Sequence, residues 1–192
     1  RIIACSHGKI PVNELLHTGL FDFETAQEAA GWKRELEQAH HTPETDAYGI
    51  GSFAFRQQTP FHPERFWHFL NHDYPHSIIR AKGLFWLASR PNDALNFSQA
   101  GGSSRLDHAG VWWCSIPTEE RESQAAYQDN REYIESRWSV DWGDRWNELV
   151  FIGQHMDITD LNQALKACLV QESDKYDLGN PQKWTDPFPK LP

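Results

Sequence analysis

The chain has 192 residues, 18 of them basic and 27 acidic, for a formal net charge of −9. That length suits one ordinary domain with an appended segment, and the acidic balance repels a phosphate backbone and offers no basic face to an anionic membrane, so neither nucleic acid nor membrane is an expected partner. Cys5, Cys114 and Cys168 are odd in number and too widely spaced for a zinc knuckle or a redox pair, which fits a reducing cytoplasm.

No run approaches the ~20 apolar residues that cross a bilayer, and Arg1-Ile2-Ile3-Ala4 is too short for a signal-peptide core. The one methionine is Met156, so residue 1 reads as internal to a longer parent. Residues 2–5 are a short apolar run of strand type, and Val12, Leu15 and Leu16 follow Pro11 at helical spacing. Together they read as a β-α unit, residues 1–20, that needs a partner to bury its apolar faces. Residues 21–47 read as a linker, with one helical stretch through Trp32 and Leu36 and then the polar connector His40-His41-Thr42-Pro43-Glu44-Thr45.

From Tyr48 the pattern changes to strands bounded by turn residues. Phe53 and Phe55 alternate along a strand over 48–56, and Pro60 and Pro63 stop it and open a helix. That helix, near His62 to Asn71, sets Phe66, Trp67 and Leu70 on one side and Glu64, His68 and His72, four apart, on the other. Strands are predicted over 78–88 and 95–99, with Gly101-Gly102 as the turn that follows and another strand around Val111-Trp112-Trp113. A polar helix is predicted from Thr118 to Trp138. Leu149-Val150-Phe151-Ile152 is an unbroken apolar run, expected to be a central strand covered on both faces. Asp157 caps a helix whose apolar stripe is Ile158, Leu161, Leu165, Cys168 and Leu169. The proline-rich tail, residues 171–192, is expected to lie extended on the surface. The fold class is α+β: a mainly antiparallel sheet with helices packed against it, over residues 48–170.

The chain has no Gly-x-x-x-x-Gly-Lys-Ser/Thr loop, no Gly-x-Ser-x-Gly elbow and no His-Glu-x-x-His helix, so it is expected to be neither a nucleotide binder nor an enzyme by itself, and to need no cofactor. Ten histidines are its chemical resource. His68 and His72 are one helical turn apart and can chelate one ion, with Glu64 a turn further; against this stands the frequency of surface histidines with no ligand role. His76 lies just beyond, and adjacent His40 and His41 point in different directions. Cys114 and Cys168 read as core thiols, and most of the nine tryptophans as core packing.

Four strings occur in order: Pro60-Phe61-His62-Pro63-Glu64-Arg65-Phe66, Arg80-Ala81-Lys82-Gly83-Leu84-Phe85-Trp86-Leu87-Ala88, Ser98-Gln99-Ala100-Gly101-Gly102 and Glu148-Leu149-Val150-Phe151-Ile152-Gly153. They resemble the carboxyl-terminal domain of the CobW family. Thr18-Gly19-Leu20-Phe21-Asp22-Phe23, His41-Thr42-Pro43-Glu44-Thr45 and Tyr48-Gly49-Ile50 look like that family's junction with its GTPase domain. The resemblance implies a cytoplasmic parent, a GTPase using GTP and Mg, that delivers zinc or cobalt to a client metalloprotein, zinc above all. Cobalamin biosynthesis and zinc homeostasis are the settings it implies. In the family the phosphate loop and a Cys-x-Cys-Cys metal motif lie in the GTPase domain, and neither occurs here. The resemblance therefore implies that residues 1–20 end a GTPase domain and that residues 48–170 act as a regulatory and interaction domain toward it and toward the client. The alternative is an autonomous metal-binding module built on His68, His72 and Glu64.

Overall fold

In the computed structural model of the chain, residues 2–6, 8–23, 25 and 48–190 are described. Two units divide after Pro43. In the first, residues 2–5 form no strand; the chain makes one isolated antiparallel bridge, Ser6 to Lys9, and a 3-10 turn at Val12–Glu14. The strand and helix expected here are thus replaced by a bridge and a single turn. Ile2, Val12, Leu15, Leu16, Leu20 and Phe21 are all exposed, and short apolar segments without a packing partner do not hold regular structure. The predicted helix through Trp32 and Leu36 and the connector at 40–45 lie outside the described residues.

The second unit is built on five antiparallel strands, β1 (Ile50–Gln57), β2 (Ile78–Leu87), β3 (Arg90–Ala100), β4 (Ser103–Val111) and β5 (Asn147–Gln154), in the order β1-β5-β2-β3-β4. β2, β3 and β4 form a meander. The β3–β4 turn is Gly101-Gly102, with Gly101 at φ 56°, a left-handed conformation in which a side chain would be strained. β5 returns from far along the chain and inserts between the first two strands, pairing Phe53 with Phe151 on one side and Ala81 with Phe151 on the other. Gly83 makes the second pairing possible, because a Cβ there would sit 1.9 Å from the Glu148 carbonyl oxygen.

One face of this sheet carries the core. Phe55, Phe85, Leu95, Phe97, Leu149 and Phe151 point into it, and two helices close it. Helix α1 (Pro63–His72) starts on Pro63, which supplies a helical φ where no amide donor is needed, and buries Phe66 and Phe69. Helix α5 (Ile158–Ala167) is capped by Asp157, whose side chain accepts the Asp160 N–H at 2.9 Å, and buries Leu161 and Leu165. Between β4 and β5 the predicted single helix breaks into three short ones, α2 (Thr118–Ser123), α3 (Ala125–Asp129) and α4 (Arg131–Ser136). Their only buried apolar anchors are Tyr127 and Ile134, too few for a continuous stripe to hold a long helix in line. The strand expected at Val111–Trp113 lies upstream instead, and Trp113–Ser115 is a 3-10 turn.

Two features tie loops to the sheet. Asn147 is fully buried; its Oδ1 accepts the Trp86 N–H at 2.9 Å and its Nδ2 donates to the Thr59 carbonyl at 2.6 Å. The tail, predicted to lie on the surface, forms 3-10 turns at Glu172–Asp177 and Pro181–Lys183 and then inserts Phe188, only 5% exposed, against Phe66, Trp67 and Phe85. One buried aromatic is enough to outweigh the proline-rich pattern. Arg90 holds this end through Asp186 at 2.8 Å and the Phe188 carbonyl at 2.8 Å. Arg65 pairs with Asp174, and the His62 ring stands edge-on to Trp184 at 5.0 Å.

Burial, with Arg65 alongside, lowers the pKa of His62 below its ordinary 6.5. Burial pushes the Asp174 carboxyl up, but the Gln171 N–H and Arg65 outweigh it and hold it below the usual value of 3.8. The unfolded chain therefore takes up the His62 proton first, and stability contributed by the neutral ring is full above pH 6.5 and lost as pH falls below it. Asp174 adds a second loss at lower pH, below 3.8. Urea unfolding followed at a series of pH values is expected to show the first loss in the native chain and not in His62→Gln. Asn147→Ala is expected to lower stability by about 2–4 kcal/mol, because it strands a buried N–H and a buried C=O; an unchanged urea midpoint would show these bonds to be expendable.

Candidate functional site

Helix α1 carries the row marked out by its spacing. Glu64 lies in its first turn, and Glu64, His68 and His72 are all exposed. The His68 and His72 rings are 4.7 Å apart and tilted by 46°. His68 Nδ1 lies 3.1 Å from an Asp73 carboxylate oxygen, an orientation that leaves Nε2 free. Two imidazoles on one helical turn form half of a tetrahedral zinc shell. Among the described residues no group of three or more His, Cys, Asp or Glu side chains is arranged to hold a metal ion. His76 is exposed beyond the helix end, and His40 and His41 lie outside the described residues.

Two of the thiols are poor ligands for a physical reason. Burial pushes Cys168 up to about 11, and burial together with the Asp144 carboxylate pushes Cys114 up to about 11, so neither is a thiolate at neutral pH. Cys168 is buried as its stripe predicts, Cys114 is half-buried and Cys5 is exposed.

A concavity that the sequence analysis did not single out lies on the side of the sheet away from α1. Leu84 of β2 and Glu148 of β5 form its floor, and Trp112, Trp113, Tyr133, Ile134 and Trp146 form its walls, around a recess of ≈ 230 Å³. Its polar groups are already engaged. Arg137 lies over the Trp146 ring at 4.9 Å and the Tyr133 ring at 5.4 Å, and donates to Glu148 Oε2 at 2.9 Å. Glu148 accepts a second bond, from Arg56 Nε at 2.8 Å. The Arg56 bond first, and then Arg137, hold its carboxyl below the usual range against the opposing effect of burial. Asp144 accepts the N–H groups of Trp113 and Cys114 at 2.9 and 2.8 Å. What the recess offers is therefore aromatic and aliphatic surface. The signal for it was present in the tryptophans at 112, 113, 138, 142 and 146 interleaved with Arg121, Arg137 and Arg145, a spacing that suits cation–π stacking.

A five-stranded antiparallel sheet with two helices and a tail on one face is an α+β domain, as predicted. The model of the cobalamin synthesis protein CobW C-terminal domain matches residues 50–169, and the chain belongs to that family. It is 33% identical to the zinc-regulated GTPase metalloprotein activator 1 of Dictyostelium discoideum over 98% of this chain and 39% of that protein. It is 31% identical to a zinc chaperone of Mycobacterium tuberculosis over 70% of this chain and 33% of that one. The chain thus spans well under half the length of these relatives. The crystal structure of a Zn(II)-bound YjiA GTPase from E. coli is similar at 14% identity and a TM-score of 0.45, over 68% of this chain and 33% of that one.

The His68–His72 pair predicts weak zinc binding that disappears in the His68→Ala/His72→Ala variant. Titration of both proteins with zinc in competition with a chromogenic chelator measures it, and equal affinity in the two would remove the pair from consideration.

Proposed function

We infer that this chain is the carboxyl-terminal regulatory and interaction domain of a GTP-dependent zinc metallochaperone. The observation that carries this reading is the family match, which runs from the first residue of β1 to just beyond helix α5, together with the named roles of the amoebal and mycobacterial relatives. In the parent, GTP binding and hydrolysis, with Mg, would be coupled to delivery of zinc, or of cobalt, to a client protein in the cytoplasm. Residues 1–20 would end the GTPase domain, residues 21–47 would link the two parts, and residues 48–170 with the docked tail would form the adaptor. No helix among the described residues is long and apolar enough to cross a membrane.

The physical logic is that of a switch read by an attached domain. A GTPase orders loops around the γ-phosphate, and a second domain transmits that order only if it contacts the two states differently. The adaptor needs no phosphate loop for this role. It needs a rigid core and surfaces left over for other proteins, and the arrangement of this sheet supports both. A second reading, an autonomous metal-binding module with His68, His72 and Glu64 as ligands, draws on the proximity of the two imidazole rings.

Calorimetry of this chain with GTP and Mg is expected to give no binding heat, and deletion of the equivalent region from a full-length family member is expected to change its metal-stimulated GTP hydrolysis. Micromolar GTP binding by the chain alone would overturn the reading.

A further inference from the structure

The face of the sheet opposite the core is laid out by the strand register. One row across it is Ser52, Ile152, Arg80, Ala100 and Ser103; the next is Ala54, Val150, Lys82, Ser98 and Arg105; the third is Arg56, Glu148, Leu84, Asn96 and Asp107. None of these residues is buried. Ile152, Val150 and Leu84 are 38%, 38% and 39% exposed, so β5 is covered on one face only, against the expectation drawn from its apolar run. Three aliphatic side chains side by side on an open sheet face call for an explanation that the core does not supply.

The same face is locally cationic in a chain of net charge −9. Arg56 pairs with Glu148 and Arg105 with Asp107. Arg80 and Lys82 are exposed and have no carboxylate partner among the described residues. Lys82 and Arg80 precede Leu84 at alternate positions of β2, about 7 and about 13 Å from it along the strand. Leu84 is itself part of the floor of the aromatic recess. The recess, at ≈ 230 Å³, exceeds the ~150 Å³ that accommodates a benzene ring, and with Arg137, Glu148 and Asp144 already engaged it selects an apolar group.

The geometry points to this face as a docking surface for an extended acidic segment of a partner protein, one that seats a bulky apolar side chain in the Trp112–Tyr133–Trp146 recess and sets carboxylates over Lys82 and Arg80. The spacing of the surface matches the ligand, because an extended chain presents alternate side chains to one side at the same interval as β2. The aromatic anchor supplies most of the binding, and the charge pairs supply orientation and on-rate. This deepens the adaptor reading by naming where a partner is held and what it is made of.

The test uses two fluorescein-labelled, end-capped peptides, Ser-Phe-Ser-Glu-Ser-Glu-Ser and its reverse, with the 192-residue chain and fluorescence polarisation. At least one orientation is expected to bind. Affinity is expected to fall about tenfold or more in Arg80→Glu/Lys82→Glu and to be abolished by Leu84→Asp, all three positions being exposed so that far-ultraviolet circular dichroism stays unchanged. Replacing glutamate by lysine, or phenylalanine by alanine, in the peptide is expected to abolish binding. Absence of binding in both orientations, or binding indifferent to the Arg80/Lys82 pair, would overturn the proposal. So would a dimer in sedimentation that the same two substitutions dissolve, since the face would then belong to a second copy. GTP calorimetry and the deletion test on hydrolysis do not depend on these positions, so failure here leaves the adaptor reading standing and failure there leaves the peptide result interpretable.

Discussion

The second unit is held together at Phe61. Its backbone bridges two segments that do not otherwise pair: the Phe61 N–H donates to the Trp86 carbonyl and its own carbonyl accepts from Ala88, while on either side His62 N–H reaches Cys168 and the Pro60 carbonyl accepts from Val170. The end of β2 and the exit from α5 are thus clipped to the same three residues. The ring of Phe61, wholly buried, stacks on Phe66 at 3.9 Å and meets Phe55 and Phe85. From this point the sheet, both long helices and the Phe188 anchor of the tail are fixed relative to one another. Asn147 repeats the device on the neighbouring edge, tying Trp86 and Thr59 through one buried amide. The Asn147 amide is bonded through both its oxygen and its nitrogen, which is the condition under which a buried polar group specifies a structure rather than weakens it.

The two faces of the sheet divide the labour of the domain. The inner face is aromatic, continuous and closed. The outer face is closed only at one end, where α2 to α4 and the tryptophans of the connecting loops gather over Leu84 and Glu148. Net charge, an average over the whole chain, concealed the local excess of cations there. The acidic composition argued against nucleic acid, and it said nothing about a patch of two cations, without a carboxylate partner among the described residues, beside aliphatic side chains. The glycine at position 83 belongs to this division, since it lets the β5 backbone approach β2 where any side chain would clash.

Much of this architecture was legible in residue order. The helix opened by Pro63 and the helix capped by Asp157 followed from cap chemistry and apolar period, signals that are local and additive. The strands at 50–57, 78–87 and 147–154 followed from alternation and apolar runs. What alternation could not reveal was which neighbours a strand acquires: the run at 149–152 reads as doubly buried by composition, yet its outer residues stay half open, and no helix among the described residues covers them. The long polar segment from Thr118 read as one helix because charge-rich sequence carries little information about breaks, whereas the real breaks are set by Tyr127 and Ile134 seeking separate burial. The tail misled for the opposite reason, a single phenylalanine among prolines outweighing the whole of its composition. As for the site, spacing found the histidine pair on α1, but the aromatic recess depends on residues about thirty to sixty positions apart, Leu84, Trp112 and Trp146, which only the chain's path brings together.

The strand order also bears on how the protein is made. β1 and β2 are neighbours of β5, not of each other, so a ribosome that has released residues 50–146 has produced two strands with a gap between them and a set of large phenylalanines with no completed wall. Until Asn147–Gln154 emerges, the inner edges of β1 and β2 are unpaired templates for other chains. Completion of this sheet therefore waits on its last strand. Premature termination anywhere before that point yields a chain prone to aggregate rather than a smaller working one, and slow translation through the 113–146 excursion prolongs the exposure.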